Sequence, residues 1–314
     1  MLGRRILRIK AFKTIYSYAV TGKMSQAEAT AQLNASCEAV RDLYLYMLAI
    51  IPYITAEAAN RIEAAKSKLN PTAEDLNAND KFAQNALAKL LEEDPDFTKI
   101  IERRKLSWKP YDILIRDVFD AIASKDYYQE YMQNPQRSLS EDCKLFIKIF
   151  EDESIFVENQ ALDRILEDIS ILWIDDLAYA LTWCCNTLED LAKGRPWRLP
   201  DLYQSDMVLR RRPEAKVDSD KDFVTKLVRC ALAGYETYFN KVVEMVPDWD
   251  KDRLFSSDMS IIACAMAEIE NFKDIPAKVS LNEYVEISKF YCSPKSRSFV
   301  NGVLDRLIKE NNLI

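Results

Sequence analysis

The chain has 314 residues, a formal net charge of −7 and no histidine. The absence of histidine removes the commonest general base and the commonest metal ligand. The sequence also contains no Walker loop and no Gly-x-Gly-x-x-Gly motif, so it has no recognisable binding motif for a nucleotide or a methyl donor. We therefore predict a non-enzymatic protein with no catalytic residues, no cofactor and no metal site.

Composition predicts an all-α fold. The chain has only 5 glycines and 11 prolines, and its apolar residues recur with a period near 3.6. No run of about 18 uncharged apolar residues is present, so we predict no membrane span, and the charged N-terminus predicts a cytoplasmic protein. The 7 cysteines are odd in number and form no Cys-x-x-Cys pair, which favours free thiols over disulfides or a zinc site.

The first helix is predicted over Arg4 to Ala19, with Gly22 ending it. Leu7, Ala11, Ile15 and Tyr18 form its apolar stripe. Three arginines, Arg4, Arg5 and Arg8, lie in or just before the first turn, where cations oppose the helix dipole at a cost of about 0.3–1 kcal/mol each. Two explanations stay open: arginines paired with nearby carboxylates, or a patch that contacts phosphates.

The middle of the chain is predicted to add further helices. Ser25 and Glu28 form a capping box, and one long apolar helix is predicted from Ile165 to Leu188. Gly194 to Asp220 contains three prolines and the run Arg210-Arg211-Arg212, which indicates a solvated linker or, less readily, a cluster of arginines that contacts phosphates. We predict three segments, namely a first helix (1–22), a helical addition (23–219) and a C-terminal helical subdomain (220–314).

Three helices are predicted near the C-terminus. Asp258 is predicted to cap the first, Ser280 with Glu283 forms a capping box for the second, and Ser293-Pro294 opens the third. Gly302 lies within the apolar repeat of the third helix, where glycine costs roughly 1 kcal/mol relative to alanine. We therefore expect another helix to pack closely against its bare backbone.

Motifs at both ends of the chain resemble one family. Their order is Ile275-Pro276, Lys278-Val279, Asn282-Glu283, Ser288-Lys289 and Phe299-Val300-Asn301-Gly302-Val303-Leu304-Asp305. This order resembles the C-terminal half of the transcription antitermination factor NusB, and Arg4-Arg5, Arg8, Ala11 and Tyr16 resemble the first helix of that family. The resemblance implies an all-α fold of two NusB-type helical subdomains, with the N-terminal part enlarged by a helical insertion.

The resemblance also implies a function. NusB proteins bind boxA-type single-stranded RNA together with NusE, a protein of the small ribosomal subunit, in antitermination complexes with RNA polymerase on ribosomal RNA operons. The resemblance implies that RNA is bound by Arg4, Arg5, Arg8, Lys10, Lys13 and Tyr16. It also implies that the protein partner is bound by Asp274, Lys278, Asn282 and Glu283. The alternative is a helical scaffold, or a non-catalytic protein of ribosomal RNA maturation or modification with a NusB-like domain.

Overall fold

The computed structural model describes residues 1–215, 217–245 and 254–310. Within these residues the chain is helical and forms no β-strand, only an isolated bridge between Leu2 and Tyr203. The predicted all-α fold is confirmed. The helices are α1 Arg4–Thr21, α2 Gln26–Leu48, α3 Ile50–Lys66, α4 Ala73–Leu76, α5 Ala86–Glu93, α6 Pro95–Arg104, α7 Asp112–Ala123, α8 Asp126–Gln133, α9 Leu139–Glu151, α10 Gln160–Ile169, α11 Leu177–Ala192, α12 Gln204–Arg211, α13 Asp220–Met245, α14 Ser256–Asn271, α15 Ala277–Tyr291 and α16 Pro294–Glu310, with 3₁₀ turns at Lys109–Tyr111 and Ile171–Trp173.

The chain divides into two compact units. Residues 1–38 and 201–314 form the first, called here the terminal unit, and residues 39–200 form the second, called the inserted unit. The division at 38/39 falls within α2. The terminal unit therefore joins the two ends of the chain, which are the parts of the sequence that carry the family motifs.

The terminal unit is built around α14. Every residue from Asp258 to Ile269 is buried, as expected of a helix that is covered on all sides. Helices α1, α13, α15 and α16 all pack against it, and α1 also packs against α13. Helix α1 has a wide buried side and a narrower side towards solvent. The buried residues are Leu7, Arg8, Lys10, Ala11, Phe12, Thr14 and Ile15.

Several predicted helix ends are confirmed. The Ser25 hydroxyl accepts from the Glu28 amide at 3.2 Å, while the Glu28 carboxylate accepts from the Ser25 amide at 2.7 Å. Gly22 ends α1 in the left-handed region with φ of 68°, a conformation that glycine adopts without strain. Pro294 is the first residue of α16, and the Ser293 hydroxyl accepts from the amide of Ser296 at 3.2 Å.

Three other local predictions are wrong. Helix α15 begins at Ala277, so Ser280 is a buried residue within the helix and not its cap. Helix α14 begins at Ser256, which places Asp258 in its first turn. Among the described residues, a side chain at Gly302 would have no atom within 4 Å outside its own helix, so no second described helix crosses its backbone.

The inserted unit has its own core. Helix α9 packs on α11, and α3 packs on α5 and α7. Trp108 is fully buried, stacks on Tyr46 with ring centroids 4.0 Å apart, and donates its indole N–H to the Tyr46 carbonyl at 2.8 Å. The predicted single helix from Ile165 to Leu188 is wrong, because the chain leaves α10 at Ser170, makes a 3₁₀ turn around the buried Trp173 and starts α11 at Leu177.

One stretch of the described residues passes a length and composition test for a membrane-spanning helix. It is the 41 residues from Gln26 to Lys66, with a mean hydropathy of 1.2 in its most apolar window. Of that window, 72% is buried inside the protein. Such burial is typical of a core helix, whose apolar surface is covered by the rest of the fold.

Candidate nucleic-acid interface

The three arginines of α1 form ion pairs within the terminal unit. Arg4 Nε donates to Asp220 Oδ1 at 2.6 Å, at the start of α13. Arg5 donates from Nε and Nη2 to the two carboxylate oxygens of Glu283 on α15, at 2.9 and 2.7 Å. These contacts attach the first turn of α1 to two other helices, so the cations that oppose its dipole are compensated by carboxylates.

The pair formed by Arg8 and Glu268 is buried. The two side chains are 5% and 0% exposed, and Arg8 Nη2 donates to Glu268 Oε1 at 2.7 Å while its Nε donates to Oε2 at 2.9 Å. The same carboxylate accepts from the Ser280 hydroxyl at 2.7 Å and from the Tyr284 hydroxyl at 3.0 Å. Every oxygen of the buried carboxylate is therefore hydrogen-bonded, the condition under which a buried charge is tolerated.

The surroundings of Arg8 keep its guanidinium charged. Burial alone would lower the pKa of Arg8, but the hydrogen bonds and charge of Glu268 outweigh burial and raise that pKa. Burial raises the pKa of Tyr284 well above its ordinary value, and the Glu268 charge raises it further, so its hydroxyl stays a donor. The Arg8 guanidinium thus fixes α1 against α14 and is not presented to solvent.

The predicted RNA-binding residues are divided between the interior and the surface. Lys10 is 0% exposed and Arg8 only 4%. The Arg5 side chain is 60% exposed and Tyr16 is 42% exposed, whereas Arg4 and Lys13 are half-buried. Arg5 and Tyr16 are therefore the exposed members of the predicted set, and Arg4 and Lys13 are partly accessible.

An aromatic cluster lies where the middle of α1 meets the end of α15. The Phe12 ring is 6.2 Å from that of Tyr16 and 5.0 Å from that of Tyr291, the last residue of α15. The Lys13 ammonium lies 5.7 Å from the centre of the Tyr291 ring. We call Phe12, Lys13, Tyr16 and Tyr291 the aromatic edge. Aromatic faces beside a cation are the usual means of binding single-stranded nucleic acid, through base stacking and phosphate contact.

Tyr291 was not among the residues predicted from the sequence. A usable signal was present, since Lys289-Phe290-Tyr291 ends a helix with a cation followed by two aromatic residues, and Phe290 is 82% exposed. Tyr291 and Phe12 lie far apart along the chain, so the sequence pattern does not predict their contact. Only the packing of α1 and α15 against the common helix α14 brings them together.

The four predicted partner-binding residues do not form one surface group. Asp274 is exposed in the loop between α14 and α15, and Lys278 and Asn282 are exposed one turn apart at the start of α15. Glu283 is instead bound to Arg5, whose hydrogen bonds and charge lower the pKa of that carboxyl. The first three residues are accessible, and the fourth joins α15 to α1.

Burial suppresses the reactivity of several cysteine thiols. Burial raises the pKa of Cys143 and of Cys292 to about 12 and that of Cys185 to about 11. Such thiols stay protonated near neutral pH and are poor nucleophiles. Over the described ranges, no group of three or more cysteine, aspartate or glutamate residues is placed to hold a metal ion.

Comparison with known proteins gives the same family at the C-terminal part of the chain. Residues 199–309 match the model of the NusB family. The chain is 31% identical to the transcription antitermination protein NusB of Alkaliphilus oremlandii over 97 residues, which is 31% of this chain and 70% of that protein. It is 33% identical to NusB of Salinibacter ruber over 108 residues, covering 34% and 68% of the two chains. For NusB of Listeria monocytogenes the identity is 35% over 94 residues, covering 30% and 73%. No solved structure matches the chain.

Proposed function

Because the chain belongs to the NusB family of transcription antitermination proteins, we propose that it binds boxA-type single-stranded RNA together with NusE and promotes transcription of ribosomal RNA. In this proposal the protein acts by binding, within an RNA polymerase antitermination complex, and catalyses no reaction. The aromatic edge is the observation that carries the proposal. It lies in the unit that contains the family match and combines the exposed ring of Tyr16 and the half-buried ring of Tyr291 with the half-buried Lys13.

The division of charge supports this assignment. The terminal unit has 23 lysines and arginines against 21 aspartates and glutamates, a net charge of +2, whereas the inserted unit has 20 against 29, a net charge of −9. The overall charge of −7 is therefore not spread over the family-like unit. An RNA strand that approaches the terminal unit meets a nearly neutral surface on which local cations are effective.

We assign different tasks to the basic residues of α1. Lys13 and Arg5 would contact phosphates and Tyr16 would stack on a base, since their side chains are accessible. Arg4 could add a further phosphate contact beside its ion pair with Asp220. Arg8 and Lys10 would act indirectly by holding α1 in place, because both are buried. Asp274, Lys278 and Asn282 would contact NusE from the start of α15, with Glu283 positioning that helix.

The test is a titration of fluorescently labelled boxA-type RNA, followed by anisotropy, with and without NusE. Tyr16→Ala should weaken binding by about 1–3 kcal/mol through the loss of one stacked base. Lys13→Ala should reduce the slope of log affinity against log salt by about 0.7, the value for one phosphate contact on a single strand. Phe255→Ala and Lys221→Ala are matched controls, since both residues are exposed elsewhere in the terminal unit.

The two controls should leave affinity and salt dependence close to those of the unmodified protein. Failure of the unmodified protein to bind the RNA in either the presence or the absence of NusE would overturn the proposed function. Binding that is unaffected by Tyr16→Ala and Lys13→Ala would instead place the RNA elsewhere on the protein and remove the aromatic edge from the proposal.

A further inference from the structure

The inserted unit carries a cleft between the start of α7 and helix α10. Its volume is about 240 Å³, and its lining includes Tyr111, Asp112, Ile113, Asp117, Ala161 and Ile165. Ile113 is 70% exposed although it is a large aliphatic residue. The cleft therefore has isoleucine side chains on both of its walls, one from each helix.

The apolar surface extends beyond the cleft along α10. Ile169 lies one helical turn after Ile165 on the same helix and is 39% exposed. Ile171 and Ile174 follow in and just after the 3₁₀ turn and are 72% and 51% exposed. Residues three apart in a 3₁₀ turn lie on the same side, so these two isoleucines are neighbours. Single exposed apolar residues are ordinary, but such a concentration is typical of an interaction site.

The charges around this surface have one predominant sign. The cleft lining holds the carboxylates of Asp112 and Asp117. Asp112 Oδ2 also lies 3.3 Å from Nη2 of Arg116, in an ion pair whose side chains are both more than half exposed. An exposed pair of this kind contributes little to stability, so a cation of a partner can replace Arg116 at small cost. Residues 160–176 contain five acidic residues and a single basic one, Arg164. The inserted unit as a whole has a net charge of −9. These charges repel the phosphates of a nucleic acid and attract a cationic ligand.

From this combination we infer that the surface formed by Ile113, Ile165 and Ile169, with Asp112 and Asp117 at its edge, binds a basic amphipathic helix of a protein partner. Apolar side chains of the partner at positions i and i+4 would enter the cleft, because helices bind in apolar grooves through anchors at that spacing. Lysine and arginine residues beside those anchors would meet the two aspartates. This surface is separate from the aromatic edge and does not depend on RNA binding.

The experiment uses the full-length protein and a labelled helical peptide of about 18 residues, long enough to hold a helix, with leucines on one face and lysines on the other. A second peptide has glutamate in place of every lysine. The lysine peptide should bind at least about tenfold more tightly than the glutamate peptide, because like charges at an interface are unfavourable. Asp112→Asn with Asp117→Asn should lower affinity at low salt and flatten its dependence on salt.

Matched variants distinguish binding at this surface from non-specific hydrophobic binding of the peptide. Ile113→Ser with Ile169→Ser should weaken binding of the lysine peptide about tenfold, since removal of an apolar anchor has an effect of that size. Leu69→Ser with Leu76→Ser is the control, because these residues are 96% and 54% exposed in the same unit. The control should leave peptide affinity unchanged, and circular dichroism should show both variants folded.

Amide hydrogen exchange locates the peptide. Protection should increase in residues 110–117 and 161–174 and not around Leu69. Equal binding of the two peptides, equal loss of affinity in both serine pairs, or protection confined to other segments would each overturn the inference. Displacement of the peptide by single-stranded RNA, with protection of residues 110–117 by the RNA alone, would overturn it in favour of a nucleic-acid site.

Discussion

The buried pair of Arg8 and Glu268 is expected to be a major determinant of stability in the terminal unit. Glu268→Gln should lower the free energy of unfolding by about 3 kcal/mol, the lower end of the range for a broken buried pair, because it removes the carboxylate that the buried Arg8 guanidinium hydrogen-bonds and leaves Glu283, 3.8 Å away, as a weaker counter-charge. Arg5→Gln breaks a pair whose arginine is 60% exposed and should cost about 0.2–1 kcal/mol. Urea unfolding followed by circular dichroism measures both changes.

A double-mutant cycle tests whether the loss comes from the pair itself. Arg8→Met combined with Glu268→Gln should cost much less than the sum of the two single substitutions, because neither charge is then left unpaired. Additive losses would mean that the two side chains act independently. That result would contradict the contacts of 2.7–3.2 Å between them.

Glu283 is expected to make stability depend on pH. The hydrogen bond from Arg5 lowers its pKa below the ordinary value of 4.5, and the charges of Arg5 and Arg8 act in the same direction against burial. The unfolded chain therefore takes up the proton first as pH falls, so the stabilisation is complete above about pH 4.5 and is lost as pH falls through the lower, folded value.

Unfolding in urea at several pH values between about 6 and 3 measures this contribution. The difference in stability between the unmodified protein and Glu283→Gln should shrink across that range. The same comparison in an Arg5→Gln background is the control, and its dependence on pH should be weaker. A difference that is constant with pH would show that Arg5 does not lower the pKa of Glu283.

The sequence shows the cations of α1 but does not show which of them reach solvent. Arg8 lies between Leu7 and Ala11 in the apolar stripe, so periodicity alone placed a cation on the buried face. Glu268 is likewise a single acid between the buried residues Ala267 and Ile269. Two opposite charges within separate apolar stripes indicate a buried pair, but their contact depends on packing between positions 260 residues apart.

At the level of single helices, Gly302 offers the clearest stability test. It is exposed within α16, and in the part of the chain that the structure describes a side chain there would have no atom within 4 Å outside its own helix. Gly302→Ala should therefore raise the free energy of unfolding by roughly 0.5–1 kcal/mol, the usual gain when alanine replaces glycine in a helix interior. The measurement is urea unfolding.

Gly234 in α13 provides the matched comparison. A Cβ atom at that position would lie 2.5 Å from the Tyr238 ring, so Gly234→Ala should give no comparable gain unless the ring moves. A loss of stability on Gly302→Ala would show that the bare backbone at residue 302 has a packing role. Equal gains at both positions would show that the contact with Tyr238 yields at little cost.

Helices were predicted well where local chemistry determines their ends and poorly where packing does. The reciprocal hydrogen bonds of Ser25 and Glu28 involve residues three apart, so the sequence alone predicts them. The Ser280 hydroxyl instead bonds to the buried Glu268, which a capping pattern cannot reveal. The interruption after Ile169 has a similar origin, because burial of Trp173 in a 3₁₀ turn outweighs the continuous apolar pattern.

At the level of the whole molecule, the fold class and the family could be predicted because their signals are a repeated period and motifs at the two ends of the chain. The division into two units of different charge could not be predicted, because the total charge is the sum of +2 for the terminal unit and −9 for the inserted unit. A net charge of −7 taken by itself implies a field that repels RNA. The distribution of charge instead assigns most of that repulsion to residues 39–200.

This distribution predicts a kinetic effect on RNA binding. Glu153→Gln with Glu158→Gln removes two exposed negative charges from the inserted unit, and it should raise the association rate with RNA about two- to threefold at low salt. At ~0.01 M salt the Debye length is about 30 Å, so charges far from the binding site still act on the approaching strand. At ~1 M salt the Debye length is about 3 Å and the difference in association rate should disappear.

Stopped-flow anisotropy measures the rates. Gln160→Glu adds a negative charge at the start of α10 and should lower the association rate under the same low-salt condition. The dissociation rate should stay the same in all three proteins, because none of the changed residues belongs to the aromatic edge. A change in dissociation rate, or an effect that persists at high salt, would mean that the inserted unit contacts RNA directly and does not act through its field.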